Sequence, residues 1–103
     1  MQVIVSGRHM GVSDALKSYC EEKAGRLTRF FDRIQSIEVV LDGHDGKHEA
    51  KMIVHAEGAD PFVAHENHSD PYAAVDILLD EIESQVRRHK ERLRNRKHPP
   101  HAE

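Results

Sequence analysis

Seven cationic side chains crowd one short stretch near the end of the chain: Arg87, Arg88, Lys90, Arg92, Arg94, Arg96 and Lys97 stand against Glu91 alone. Ammonium and guanidinium groups at that density do one kind of chemistry well, which is to bind a polyanion through its phosphates and displace its counterions. A second set, Lys23, Arg26, Arg29 and Arg33, follows steps of three, three and four, so on one helix these four share a side. If the two segments are neighbouring helices, both sets border a common groove of strong positive potential. The plain alternative is a solvated helix face whose C-terminal cations suit the helix dipole. A formal net charge of -3 conceals this contrast, because the first 86 residues hold eight basic and sixteen acidic side chains.

Other chemistries find fewer residues to stand on. Nine histidines invite a metal hypothesis, and His65-Glu66-Asn67-His68 superficially resembles a zinc protease helix. That helix needs histidines four apart, whereas these are three apart near a strand end, where alternation sends them to opposite faces. No metal site is therefore expected; His44, His48 and His101 are placed in solvent and His89 at the core edge. The chain has no phosphate loop, no dinucleotide-binding glycine fingerprint, no nucleophile elbow and no carboxylate pair singled out for acid–base work, so neither a catalytic residue nor a cofactor is expected. The single Cys20 reads as a small buried side chain in a reducing compartment. With no signal peptide and no apolar run of about 20 residues, the expected location is the cytoplasm, with no membrane or small-molecule partner.

The elements that must carry these cations follow from periodicity. Val3 and Val5 alternate in a short strand over Gln2 to Ser6, ended by Gly7. Ser13 is a suitable N-cap for a helix over about 13–31, with Asp14 in its first turn and Leu16, Tyr19 or Cys20, Leu27 and Phe31 at helical spacing. Gly25 inside this helix either permits a close helix contact, the preferred reading, or is a tolerated cost of up to about 1 kcal/mol relative to Ala. Ile37, Val39 and Leu41 change the period to two; Asp42 to Gly46 reverse the chain, and Ala50, Met52, Val54 and Ala56 return. A short strand runs from Phe62 to about Asn67, and Asp70-Pro71 opens a long helix with an apolar stripe at Val75, Leu78 or Leu79, Ile82, Val86, His89 and Leu93. The predicted fold class is α+β: a two-layer β-α-β-β-β-α sandwich in which a four-stranded mixed sheet carries two helices packed on one face. It occupies residues 1–97 as one domain, with a short disordered tail over 98–103.

That order also occurs in RNA-contacting domains, which licenses a prior and no more. The five aromatics, Tyr19, Phe30, Phe31, Phe62 and Tyr72, suit a core better than a stacking platform, so contacts to phosphates and RNA shape are expected ahead of base reading.

Several segments together make the chain similar to one family. They are Met1-Gln2-Val3-Ile4-Val5-Ser6-Gly7, Ser13-Asp14-Ala15-Leu16, Leu27 through Phe30-Phe31-Asp32-Arg33-Ile34, Asp70-Pro71-Tyr72-Ala73-Ala74-Val75-Asp76 and Arg88-His89-Lys90. Over about residues 1–97 the sequence closely resembles the ribosome hibernation-promoting factors, also called ribosome-associated inhibitors or sigma-54 modulation proteins. The resemblance implies binding to the small ribosomal subunit in the channel of messenger and transfer RNA, with inhibition of translation under stress or in stationary phase. It also implies that ribosomal RNA meets basic residues of both helices, here Lys23, Arg26, Arg88 and Lys90, with Arg87, Arg92 and Arg94 nearby. Glu81 and Ser84 depart from the pattern, standing where several relatives are basic. The chain looks like the short form, so a monomer is expected when it is free. The alternative reading is a protein-binding transcription regulator of the sigma-54 modulation type, using the acidic sheet surface and the Glu81 side without direct RNA contact.

Overall fold

The computed structural model describes residues 2–97; the tail expected over 98–103 lies outside them. The elements are β1 (Gln2–Arg8), α1 (Asp14–Phe30), β2 (Ile34–His44), β3 (Lys47–Ala56), β4 (Phe62–His68) and α2 (Pro71–Lys97), in the expected order. The strands lie side by side as β1-β2-β3-β4. β1 and β2 are parallel, joined by α1 as the crossover, while β2–β3 and β3–β4 are antiparallel.

Alternation in the central strands pairs Ile37 with Val54, Val39 with Met52 and Leu41 with Ala50. These six side chains are fully buried and face Leu16, Cys20, Ala24 and Leu27 of α1 and Val75, Leu78, Ile82 and Val86 of α2 in one cluster. Each of the larger ones contributes about 1.5–3 kcal/mol on leaving water. Among the described residues every buried side chain is apolar. Burial also pushes the Cys20 thiol up to about 11, with Glu21 adding to the shift, so the sulfur sits in the core as a protonated small side chain.

Both helix starts follow from their caps. Ser13 Oγ accepts from the Leu16 N–H at 3.1 Å. Asp70 Oδ1 accepts from the Tyr72 N–H at 2.9 Å, with Pro71 at the first helical position where no N–H is needed.

Three boundaries differ from the expectation. The turn expected over 42–46 contracts to Asp45-Gly46, whose φ values of 46° and 78° match a two-residue type I′ turn. The ladder outlasts the apolar pattern because Asp42, Gly43 and His44 find backbone partners in Glu49, His48 and Lys47. β2 starts earlier as well, at Ile34, with a register irregularity between Ile34 and Ser36. β1 continues through Gly7 to Arg8 because Gly7 makes room for the chain that follows: a Cβ there would lie 2.7 Å from the Met10 carbonyl oxygen and 2.9 Å from Val12 Cγ2.

The close helix contact expected at Gly25 is not there. A Cβ at Gly25 would meet nothing within 4 Å apart from the helix itself. Gly25→Ala should therefore stabilise the protein by about 0.5–1 kcal/mol. By contrast, Leu27→Ala, at a fully buried site, should cost about 2–5 kcal/mol. Urea unfolding reads both as shifts of the midpoint at constant slope.

Candidate nucleic-acid interface

The two helices run parallel, since residue numbers rise together along their contact. At one end the Tyr19 ring meets the Tyr72 ring edge-on at 5.0 Å, and the Tyr19 hydroxyl donates to Asp76 Oδ1 at 2.7 Å. At the other end Phe30 lies under Arg87 and Lys90, with the guanidinium carbon 5.6 Å and the ammonium 4.6 Å from the ring centre. The Lys90 ammonium also donates to the Phe30 carbonyl oxygen at 3.0 Å. It thus satisfies one of the carbonyls that the last turn of α1 leaves without an intrahelical partner.

The structure divides the nine expected contacts into three groups. Lys23 and Arg26 line the middle of the interhelical groove opposite Asp76, Asp80 and Glu83, and Lys23 also lies 5.2 Å over the Tyr19 ring. Those carboxylates share the groove with the two cations, so they offset much of the positive potential there. Arg29, Lys90 and Arg94 line an open groove of about 410 Å³ with Phe30, Phe31, Leu93 and one carboxylate, Asp32, and Arg87 reaches Phe30. Arg88 and Arg92 lie on the other flank of α2, bordering a wider cleft of about 840 Å³ under the Gly58 to Phe62 turn. Arg33 belongs to this flank: a Cβ on Gly58 would lie 4.0 Å from Arg33 Nη1.

One continuous groove was expected, and the helical period explains why there are two. On α2, steps of three and four put Arg87, Lys90 and Arg94 on one side and Arg88 and Arg92 on the other, with the seam Val86, His89 and Leu93 between them. His89 sits at the core edge as expected, edge-on to Phe31 at 5.9 Å and to Phe62 at 5.7 Å. Arg33 leaves the α1 stripe because the helix stops at Phe30 and Phe31 turns extended, its N–H bonded to the Leu27 carbonyl.

Eight of the nine cations are exposed, and Lys23 is half-buried. Among the described residues no Lys or Arg nitrogen lies within 4.0 Å of a carboxylate oxygen. The charge at the helix C-termini is therefore open to a partner. Sequence reasoning missed Phe30 as the platform that orders Arg87 and Lys90; its place in the last turn of α1 was the available signal. It also missed Gln85, whose amide donates to the Val63 carbonyl at 2.9 Å and ties α2 to the edge strand beside the Arg88 flank.

A family model described as "Sigma 54 modulation protein / S30EA ribosomal protein" matches residues 3–94. The chain belongs to this family. The ribosome hibernation promoting factor of Azotobacter vinelandii is 44% identical over 92 residues, which are 89% of this chain and 85% of that protein. The ribosome hibernation promoting factor of Escherichia coli is 31% identical over 94 residues, 91% of this chain and 98% of that protein. Two solved structures share the architecture. A ribosomal subunit interface protein from Coxiella burnetii superposes with a TM-score of 0.81 at 25% identity, covering 88% of this chain and 99% of that one. The N-terminal domain of Thermus thermophilus Protein Y gives 0.78 at 33% identity, covering 86% and 99%.

Two outcomes test this geometry. Lys90→Met removes the ammonium from Phe30 and should cost about 0.5–1 kcal/mol, whereas Arg88→Met should stay within about 0.5 kcal/mol of the parent, both by urea denaturation. The hydrogen bond to Asp76, reinforced by desolvation and by the charge of Asp76, pushes the Tyr19 phenol up to about 12 from its ordinary 10.0. The folded state thus favours the protonated phenol, so this contact stabilises fully below pH 10.0 and fades as the pH climbs toward about 12. Asp76→Asn should flatten that alkaline fall in stability and lower the Tyr19 pKa in an absorbance titration.

Proposed function

We propose that the chain is a ribosome hibernation factor: it binds the small ribosomal subunit in the channel that messenger and transfer RNA use, and inhibits translation under stress or in stationary phase. It acts in the cytoplasm, as a monomer when free, and works by occupancy without catalysing a reaction. The observation that carries this reading is the paired-helix end, where Arg29, Arg33, Arg87, Arg88, Lys90, Arg92 and Arg94 are all exposed and, among the described residues, none has a carboxylate within 4.0 Å. Two open grooves separated by the width of one helix suit a folded polyanion whose strands pass on both sides, because each flank meets phosphates without competing for the same ones. Family membership supports the same partner, since the relatives are named for ribosome hibernation.

Lys23 and Arg26 take a lesser part, because three carboxylates, Asp76, Asp80 and Glu83, share their groove, against Asp32 alone beside Arg29 and Asp60 alone beside Arg88. Glu81 is exposed on the Arg88 flank of α2 and marks where that flank turns acidic. The RNA contact surface accordingly ends near Gln85.

Co-sedimentation with small subunits across a potassium chloride series tests the proposal. Each phosphate contact contributes about 0.7–0.9 to the slope of log affinity against log salt, so Arg88→Glu with Arg92→Glu should flatten the slope by about 1.4–1.8. The same pair should weaken binding at fixed salt by tenfold or more on the order of magnitude expected for losing two phosphate contacts. Lys23→Glu with Arg26→Glu should have the smaller effect. Absence of binding at low salt, or a slope unmoved by the α2 pair, would overturn the reading.

A further inference from the structure

We propose that His9, Asp42 and His44 form a surface site for a divalent transition-metal ion of the zinc class. The three come together through the parallel pairing of β1 and β2. Arg8 is in register with Asp42, which sets His9 just beyond the strand end, while Asp42 and His44, two apart on β2, share the sheet face turned away from the helices. His9 Nδ1 lies 3.0 Å and His44 Nε2 3.4 Å from the same carboxylate oxygen, Asp42 Oδ1. All three donor atoms fall within 4.8 Å of one another.

Those distances are close to what an ion needs. With metal–ligand bonds of about 2.0–2.1 Å at tetrahedral angles, neighbouring donors stand about 3.3 Å apart. The two nitrogen–oxygen separations, 3.0 and 3.4 Å, bracket this value, the shorter being a His9–Asp42 hydrogen bond that an ion would replace. The one adjustment left is between the two imidazoles, whose ring centres are 5.7 Å apart and whose side chains are 72% and 62% exposed, so both are free to turn. Asp42, at 18%, is the anchored member.

His9 is aimed at Asp42 by an unusual backbone. Its φ of 56° is left-handed in a residue with a side chain, at the point where the chain folds back so that Met10 packs against Gly43 and Val12 against Gly7. Two neutral imidazoles and a carboxylate suit zinc and the neighbouring first-row ions, and leave further positions for water. Glu49, in register with Asp42 on β3, adds negative charge on the same face, while Arg8 and Lys47 oppose it. The site lies at the helix N-terminal end of the molecule, away from the cationic end, so ion and RNA do not compete. No short motif announces it, because His9 and Asp42 are 33 positions apart.

Titration of the full chain with zinc chloride, followed by calorimetry and by imidazole NMR resonances, tests the site. One equivalent should bind saturably and shift the His9 and His44 rings. His9→Ala, His44→Ala and Asp42→Asn should each weaken binding by about tenfold or more. His65→Ala and the pair His98→Ala with His101→Ala should leave it unchanged, and all variants should retain the native circular dichroism spectrum. The proposal is overturned if zinc moves other histidines but not these two, or if the three variants bind as the parent does. It is equally overturned if the rings respond to pH alone, which would make the cluster an imidazolium–carboxylate contact.

Discussion

The arrangement depends on one constraint: α1 and α2 lie parallel on the same face of the sheet. The crossover between the parallel strands β1 and β2 sets the direction of α1, and the antiparallel meander through β3 and β4 returns the chain to the end where α1 began. α2 must then start there too. The C-terminus of α1 consequently falls beside Arg87 and Lys90 of α2, which runs on to Lys97, and the last turn of α1 bears partial negative charge on carbonyls without helical partners. Lys90 answers that cost directly by donating to the Phe30 carbonyl, and its charge rests on the face of the same residue's ring.

The distribution of charge along α2 suits this geometry. Asp76, Asp80, Glu81 and Glu83 occupy its first half and the arginines its second, the order that the helix dipole favours. Electrostatic fit to the fold therefore accounts for some of the cations, and those that, among the described residues, are exposed without a carboxylate within 4.0 Å are the ones free to meet a polyanion. The same asymmetry gives the molecule two unlike ends. One presents arginine on both sides of α2; the other gathers His9, His44, His48 and His68 around the hairpin and the helix starts.

Much of the fold was legible because its signals are local. Alternation in β2 and β3, the Ser13 cap and the Asp70-Pro71 start each draw on residues within a few positions of one another, and each element formed where those residues stand. What escaped depends on long-range contacts. Gly7 and Gly43 read as strand ends or turn residues, yet both lie inside strands to admit the segment around Met10. The cations were legible as a set but not in their grouping, since the split between Arg87, Lys90, Arg94 and Arg88, Arg92 appears once the buried seam of α2 is fixed against the sheet. Phe30 was invisible as a platform because its partner Lys90 is 60 positions away.

The central claim is that RNA meets the C-terminal end of the helix layer and not the open face of the sheet. Site-directed crosslinking on small subunits tests it most directly, with a photoreactive group placed in turn at Arg29, Arg92 and Arg94 and at Ile4 and Ile53 on the opposite face. The account predicts crosslinks to ribosomal RNA from the first three positions and none from the last two. Crosslinks confined to Ile4 and Ile53, with the helix positions silent, would contradict it.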